Sequence, residues 1–168
     1  MNAAVAPRDQ RGFTLVELIV VILIIGILSA IALPRFIDMG KDARIAKAQA
    51  IMGAVRSASQ VVRAAALVRS ATGATGSVNV DGLSISTNYG YPQALGANGI
   101  VDAAGLDSSV ANNDQVTISA GGATGGTAIT IQIAGAATAT TCQVSYTSPS
   151  TATGTTSVPI IALATAGC

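Results

Sequence analysis

The sequence predicts an α+β fold: one long N-terminal α-helix laid against an antiparallel β-sheet head. Three features carry that reading. Residues Phe13 to Leu33 form a 21-residue apolar run interrupted by a single charge, Glu17. Residues Arg35 to Val68 continue at helical spacing, with apolar side chains gathered on one face. From Val116 onward, apolar and polar residues alternate with the period of two expected of half-buried strands.

The apolar run sets the architecture. As a helix it is about 32 Å long, close to the ~30 Å hydrocarbon core of a bilayer. Arg8 and Arg11 lie just before it. Positive charge on that side places the N-terminus in the cytoplasm and everything beyond Pro34 outside it. An ordinary secretory signal is cleaved after its apolar region, but this run is too long and has no Ala-x-Ala site at its end. A plain single-pass anchor would meet these criteria. It would not call for Glu17, because a carboxylate inside such a span costs on the order of 2.5–3.5 kcal/mol. Gly26 weakens the helix within the span. Pro34 removes a backbone donor and predicts a kink near the membrane surface.

Beyond Pro34 the stripe Ile45, Ala48, Met52, Val55, Ser59, Val62 and Ala66 recurs at spacings of three or four. Lys41, Arg44, Lys47, Arg56 and Arg63 lie largely elsewhere on the helical wheel. The whole rod from Phe13 to Val68 would be about 84 Å long. After Arg69 the composition changes, and glycines punctuate an irregular region over residues 69–115. Short strands are expected there at Val78–Val80 and Leu83–Ile85, around the turn Asp81-Gly82. Clearer strands alternate through Val116, Ile118 and Ala120, through Ile129, Ile131 and Ile133, and through Cys142, Val144 and Tyr146. A fourth candidate covers Ser157 to Ala164, where Pro159 favours an edge or a strand start. One antiparallel sheet over residues 116–168, with one face on the helix stripe, satisfies both periodicities.

Composition narrows the chemistry. The 168 residues include no histidine, which removes any His-based triad, proton shuttle or zinc site. Aromatics number five, namely Phe13, Phe36, Tyr89, Tyr91 and Tyr146. The core must therefore be built from Ala, Val, Ile and Leu, and a covalent staple would help it. Cys142 and Cys168 lie outside the cytoplasm on this topology, where two cysteines are expected to form one structural disulfide. Gly121-Gly122 and Gly125-Gly126 lack the Lys-Ser/Thr ending of a phosphate loop and read as turns. Asp102, Asp107 and Asp114 are too loosely spaced for an EF-hand. No catalytic constellation, metal site or cofactor is implied. All nine Lys and Arg lie at or before Arg69, giving the first 69 residues a net +5 and the remainder −4. A basic helix with an acidic head suits head-to-tail packing in a polymer. No basic cluster alternates with aromatics in the head, so nucleic acid is not an expected partner.

The joint occurrence of Gly12, Phe13, Glu17 and Pro34 around one span resembles the N-terminus of type IV pilins and the related pseudopilins. That resemblance covers Arg11 to about Val68. It implies the pilin fold and a leader, residues 1–12, that prepilin peptidase removes at the inner membrane by cutting between Gly12 and Phe13. The same enzyme would N-methylate Phe13. Residues 13–34 would then be the transmembrane and assembly half of the helix, and 35–68 its amphipathic half. Glu17 would be required for entry into the fibre, and Gly26 and Pro34 would flank the part that extends in assembled pili. The runs Leu33–Arg44, Tyr89–Pro92 and Cys142–Thr147, with the last cysteine, are similar to pilins of the mannose-sensitive haemagglutinin (MSHA) type. Such pilins close a C-terminal disulfide region, a layout that Cys142 and Cys168 fit. The implied partners are identical subunits, the peptidase and the assembly machinery. The implied location is the inner membrane and then an extracellular pilus used for attachment or motility. The alternative is a pseudopilin of a type II secretion system.

This reading fixes the mass of the mature protein. Filament subunits are expected to begin at Phe13, lack residues 1–12 and carry a methylated amine. Intact-mass analysis of sheared surface filaments checks this, and a retained leader would rule the processing out.

Overall fold

The structure, a computed structural model, describes residues 13–106, 116–154 and 157–168, with backbone but not side chains at 33–38. The leader with Gly12, the side chains of Pro34 and Asp38, and residues Asp107 and Asp114 lie outside the described residues. The fold is α+β. Helix α1 spans Leu15–Val68, and its helical assignment passes through Pro34. The chain divides into two compact units after Gly40.

In the first unit, the described side chains of α1 are largely exposed. The segment Leu15–Ala32 has mean hydropathy 3.0 and is 0% buried. Apolar residues on every side of a helix require an apolar surrounding, whether lipid or other helices. A Cβ added at Gly26 would meet open space.

In the second unit the stripe turns inward. Ala48, Ile51, Val55, Ala58, Ser59, Val62 and Ala66 are all buried. Two antiparallel sheets cover this stripe, where the sequence predicted one. The first has strands β1 (Gly76–Val80), β2 (Leu83–Asn88) and β3 (Tyr91–Pro92), in that order. It occupies much of the region predicted to be irregular. Both of its hairpins turn on two residues with positive φ, Asp81-Gly82 (51° and 84°) and Tyr89-Gly90 (50° and 79°). These are the two-residue turns whose twist matches that of their strands. The Asp-Gly signal is visible in the sequence. Tyr-Gly is not a recognised turn pair, which is why β3 was missed.

A short helix, α2 (Ile100–Ala103), buries Ile100 and Val101. The second sheet is a meander, β4 (Val116–Ile118), β5 (Ala128–Ile133), β6 (Gln143–Thr147) and β7 (Ile160–Ala164). Its register brings one face inward, with Ile129 opposite Tyr146, Ile131 opposite Val144, and Tyr146 opposite Ile161. The expected alternation through Ala120 ends at Ile118, and Pro159 stands just before edge strand β7, where its missing donor does no harm.

The helix thus floors two cores. Ala48, Ile51, Val55 and Ala58 pack beneath the four-stranded sheet, while Val62 and Ala66 meet Val78 and Ile85 of the three-stranded sheet. Between the sheets the contacts are polar. The Tyr146 hydroxyl donates to Pro92 O at 2.7 Å, Gln93 Nε2 to Asn88 Oδ1 at 3.0 Å, and Asn88 Nδ2 to Ala123 O at 2.9 Å. The three side chains involved, Tyr146, Asn88 and Gln93, are buried, so each bond matters chiefly because leaving it unmade would cost about 1–3 kcal/mol.

Tyr146 is wholly buried, and loss of solvation pushes its phenol pKa well above the ordinary value of 10.0, against a smaller opposing pull from the Ser59 hydroxyl. The folded-state pKa is the raised one. The neutral phenol therefore contributes its full stability below about pH 10, and that contribution is lost as pH rises toward the folded value. Thermal melts of the full chain should fall steeply above pH 10. In Tyr146→Phe the stability is lower at neutral pH by about 1–3 kcal/mol, since Pro92 O loses its donor, and the alkaline fall is smaller.

Candidate functional site

Two regions carry the residues singled out by the sequence. The first is the start of α1. Thr14 precedes the helix, and its Oγ1 accepts a hydrogen bond from the Glu17 backbone N–H at 3.2 Å. This is the N-cap bond of a Thr-x-x-Glu box, and it satisfies one of the donors a helix start leaves open. Sequence reasoning passed over Thr14, although the Thr-x-x-Glu pattern before an apolar run is its signature. Glu17 itself sits in the first turn, where the positive end of the helix dipole favours a carboxylate. Its neighbours Phe13, Leu15, Val16 and Leu18 are exposed, Phe13 at 88%. The geometry therefore presents one carboxylate in an otherwise apolar, open surface.

The second region is the far end of the chain. Cys142 and Cys168 form a disulfide, with Cα atoms 4.8 Å apart and 26 residues of separation. Both residues are buried within the larger core. The ring so closed contains β6 and β7. Main-chain bonds from Thr138 N to Gly167 O and from Gly167 N to Thr141 O flank it, and Arg44 Nε donates to Cys168 O at 2.6 Å.

Arg44 has counterparts higher on the helix. Arg63 Nη1 donates to Tyr89 O at 2.6 Å and its guanidinium stacks 4.8 Å from the Tyr91 ring centroid. Arg69 Nη1 donates to Asn79 O. Three arginines placed off the apolar stripe thus reach around to carbonyls of the head. The sequence offered no signal for this, because a carbonyl partner carries no charge to pair by inspection. At Gly90 the fit is close: an added Cβ would lie 2.5 Å from Arg63 Nη1, and φ there is +79°. Among the described residues no group of three or more His, Cys, Asp or Glu is placed to hold a metal ion.

Comparison with known proteins places these features. Residues 7–33 match the prokaryotic N-terminal methylation motif, a stretch that includes Gly12, Phe13, Glu17 and Gly26. The chain is 58% identical over 48 residues to the type IV narrow pilus major component PilA5 of Thermus thermophilus, covering 29% of this chain and 41% of that one. It is 37% identical over 67 residues to a fimbrial protein of Pseudomonas aeruginosa, covering 39% and 44% respectively. It is 51% identical over 39 residues to the type IV major pilin protein PilE of Neisseria gonorrhoeae, covering 23% of each chain. The alignments thus span less than half the length of these curated relatives. No solved structure is similar enough to count as a match. The motif and these relatives support the type IV pilin family.

The disulfide is open to direct test. In the chain-entropy account a ring of this size stabilises by about 3.5 kcal/mol. Replacing Cys142 or Cys168 with Ser is expected to lower head stability by about 2–4 kcal/mol, measured by denaturant unfolding. Stoichiometric thiol labelling of both cysteines in the native protein would refute the bridge.

Proposed function

We propose that this chain is the structural subunit of a type IV pilus, held in the inner membrane by α1 and then polymerised into an extracellular filament for attachment or motility. The observation that carries this reading is the pairing of the methylation motif with an apolar helix that stands fully exposed in the isolated chain and runs into a closed, disulfide-bonded head. An exposed apolar helix can satisfy itself in lipid or in a bundle of its own copies, and a pilin does each in turn. Prepilin peptidase would cleave between Gly12 and Phe13 and methylate Phe13. Gly26 and Pro34, which weaken the helical ladder, would bound the segment that extends on assembly. The head would fill the filament surface, and no reaction is assigned to it. Within the family, the stretches Leu33–Arg44, Tyr89–Pro92 and Cys142–Thr147 favour an MSHA-type pilin. The named relatives are pilus and fimbrial proteins, which favours this function over a pseudopilin role.

Glu17 is assigned to assembly, not to folding. In a bundle of subunits its carboxylate would meet the Phe13 amine of a neighbour, in surroundings with little water to screen the attraction. A wrong stagger would leave both charges unpaired in an apolar medium, so the pair would fix the axial register. Glu17→Ala should leave the protein cleaved, inserted and folded, since loss of a buried charge eases insertion. Surface filaments should be scarce or absent at equal membrane levels of subunit. Wild-type filament yield from that variant would overturn the assignment.

A further inference from the structure

A cleft of about 480 Å³ opens where edge strands β3 and β7 approach each other over the helix. Arg56, Ser59 and Gln60 of α1 line it, with Tyr91 on one side and Val158, Pro159 and Ile161 on the other. Its polar groups are unbalanced. Arg44, Arg63 and Arg69 each donate to a carbonyl of the head, whereas Arg56 has no such bond among the described residues. Ser59 is 1% exposed, and its hydroxyl faces the Tyr146 phenol at the floor of the cleft. Among the described residues no acid lines the cleft. An exposed guanidinium and a primary amide together favour a carboxylate, which accepts and does not donate. The rim is apolar, with Val158 50% exposed.

The same chain presents the complementary shape elsewhere. The β1–β2 hairpin ends in Asp81, Gly82 and Leu83, all exposed, with Leu83 48% exposed. The Asp81 carboxylate has no cation or hydrogen-bond donor among the described residues. Asp102 differs, because its Oδ2 already accepts from Asn98 N at 2.7 Å. The hairpin is tied by Asn79 O to Arg69, 13 residues along the helix from Arg56. That spacing places its anchor about 20 Å further along the axis than the cleft. Tip and cleft are thus different surfaces at different axial levels. Between copies held with their helices parallel, as in a filament, such a contact is head-to-tail, and its repetition builds an open polymer.

We infer that the cleft at Arg56, Ser59 and Gln60 receives the Asp81–Leu83 hairpin tip of a second copy of this chain. Asp81 pairs with Arg56 and is held by Gln60, while Leu83 packs on Val158, Pro159 and Ile161. The inference rests on the polymer reading above and names one lateral contact within it. It also gives the basic helix and acidic head a shared purpose: the cation and the acid are kept unpaired within a subunit so that they can pair between subunits.

Charge exchange tests it. Arg56→Glu and Asp81→Arg are made singly and together, and sheared filament yield is measured at equal membrane levels. Cooperative thermal unfolding of each full-length variant in detergent, followed by circular dichroism, reports that each head is folded. Each single variant should lose at least about tenfold in yield, since like or unpaired charges at a contact cost several kcal/mol. The double variant should recover most of it. Unchanged yield from either single variant overturns the contact, as does a folded double variant that fails to recover. Loss with Arg56→Glu alone means that another acid fills the cleft and equally overturns it. Absence of filaments from the wild-type chain would instead remove the polymer reading itself.

Discussion

The head is held to its helix along a stripe of small side chains, and the other devices in the fold compensate for how little area that stripe buries. Ala48, Ala58, Ser59 and Ala66 let two sheets approach α1 closely, but each supplies less apolar surface than a leucine or an aromatic would. The isoleucines of β5, with Val144 and Tyr146 of β6, provide most of the apolar bulk from the sheet side. With one buried aromatic ring in the larger core, dispersion and burial leave a modest margin for a domain of this size. The disulfide and the polar junction between the sheets add to that margin without adding volume.

Arginine supplies a second kind of attachment. Arg44 and Arg63 on the helix and Arg69 just past its end each donate to a main-chain oxygen: of Cys168, of Tyr89 in the β2–β3 turn and of Asn79 in strand β1. Hydrogen bonds from a charged donor are stronger than neutral ones, and their long stems also cover apolar surface. They pin loop positions that carry no apolar side chain of their own, which is why both positive-φ turns of the three-stranded sheet can remain short. The charge that looks like a solvated helix face in the sequence is in large part internal scaffolding.

Much of this was legible from residue order alone. The 21-residue apolar run, the stripe from Ile45 to Ala66 and the alternations through Ile131 and Val144 each follow a single period over many residues, so chance interruptions do not hide them. The β2–β3 hairpin did hide, because β3 is two residues long and its turn uses tyrosine in a conformation more usual for asparagine or glycine. Asn88 and Gln93 were equally invisible: their burial depends on Ala123 and on each other, across sequence separations that no local pattern encodes. The same holds for the cleft beside Ser59, which exists only because two sheet edges meet there. At the N-terminus the reverse applies. Gly12, Phe13 and Glu17 are recognised by spacing within six residues, and the fold adds only the Thr14 cap.

The ring closed by Cys142 and Cys168 has a consequence for what the surface can carry. Its two strands are fixed at one end by sulfur and along their length by each other, so the connecting segment around Thr151–Gly154 has both anchors set before it adopts any shape of its own. Lengthening a loop between fixed anchors is inexpensive, about 0.6 kcal/mol for each doubling. That segment is exposed and contributes nothing to either core. Foreign peptides grafted there would ride on a covalently braced mount and, in the proposed filament, would be displayed densely, once per subunit.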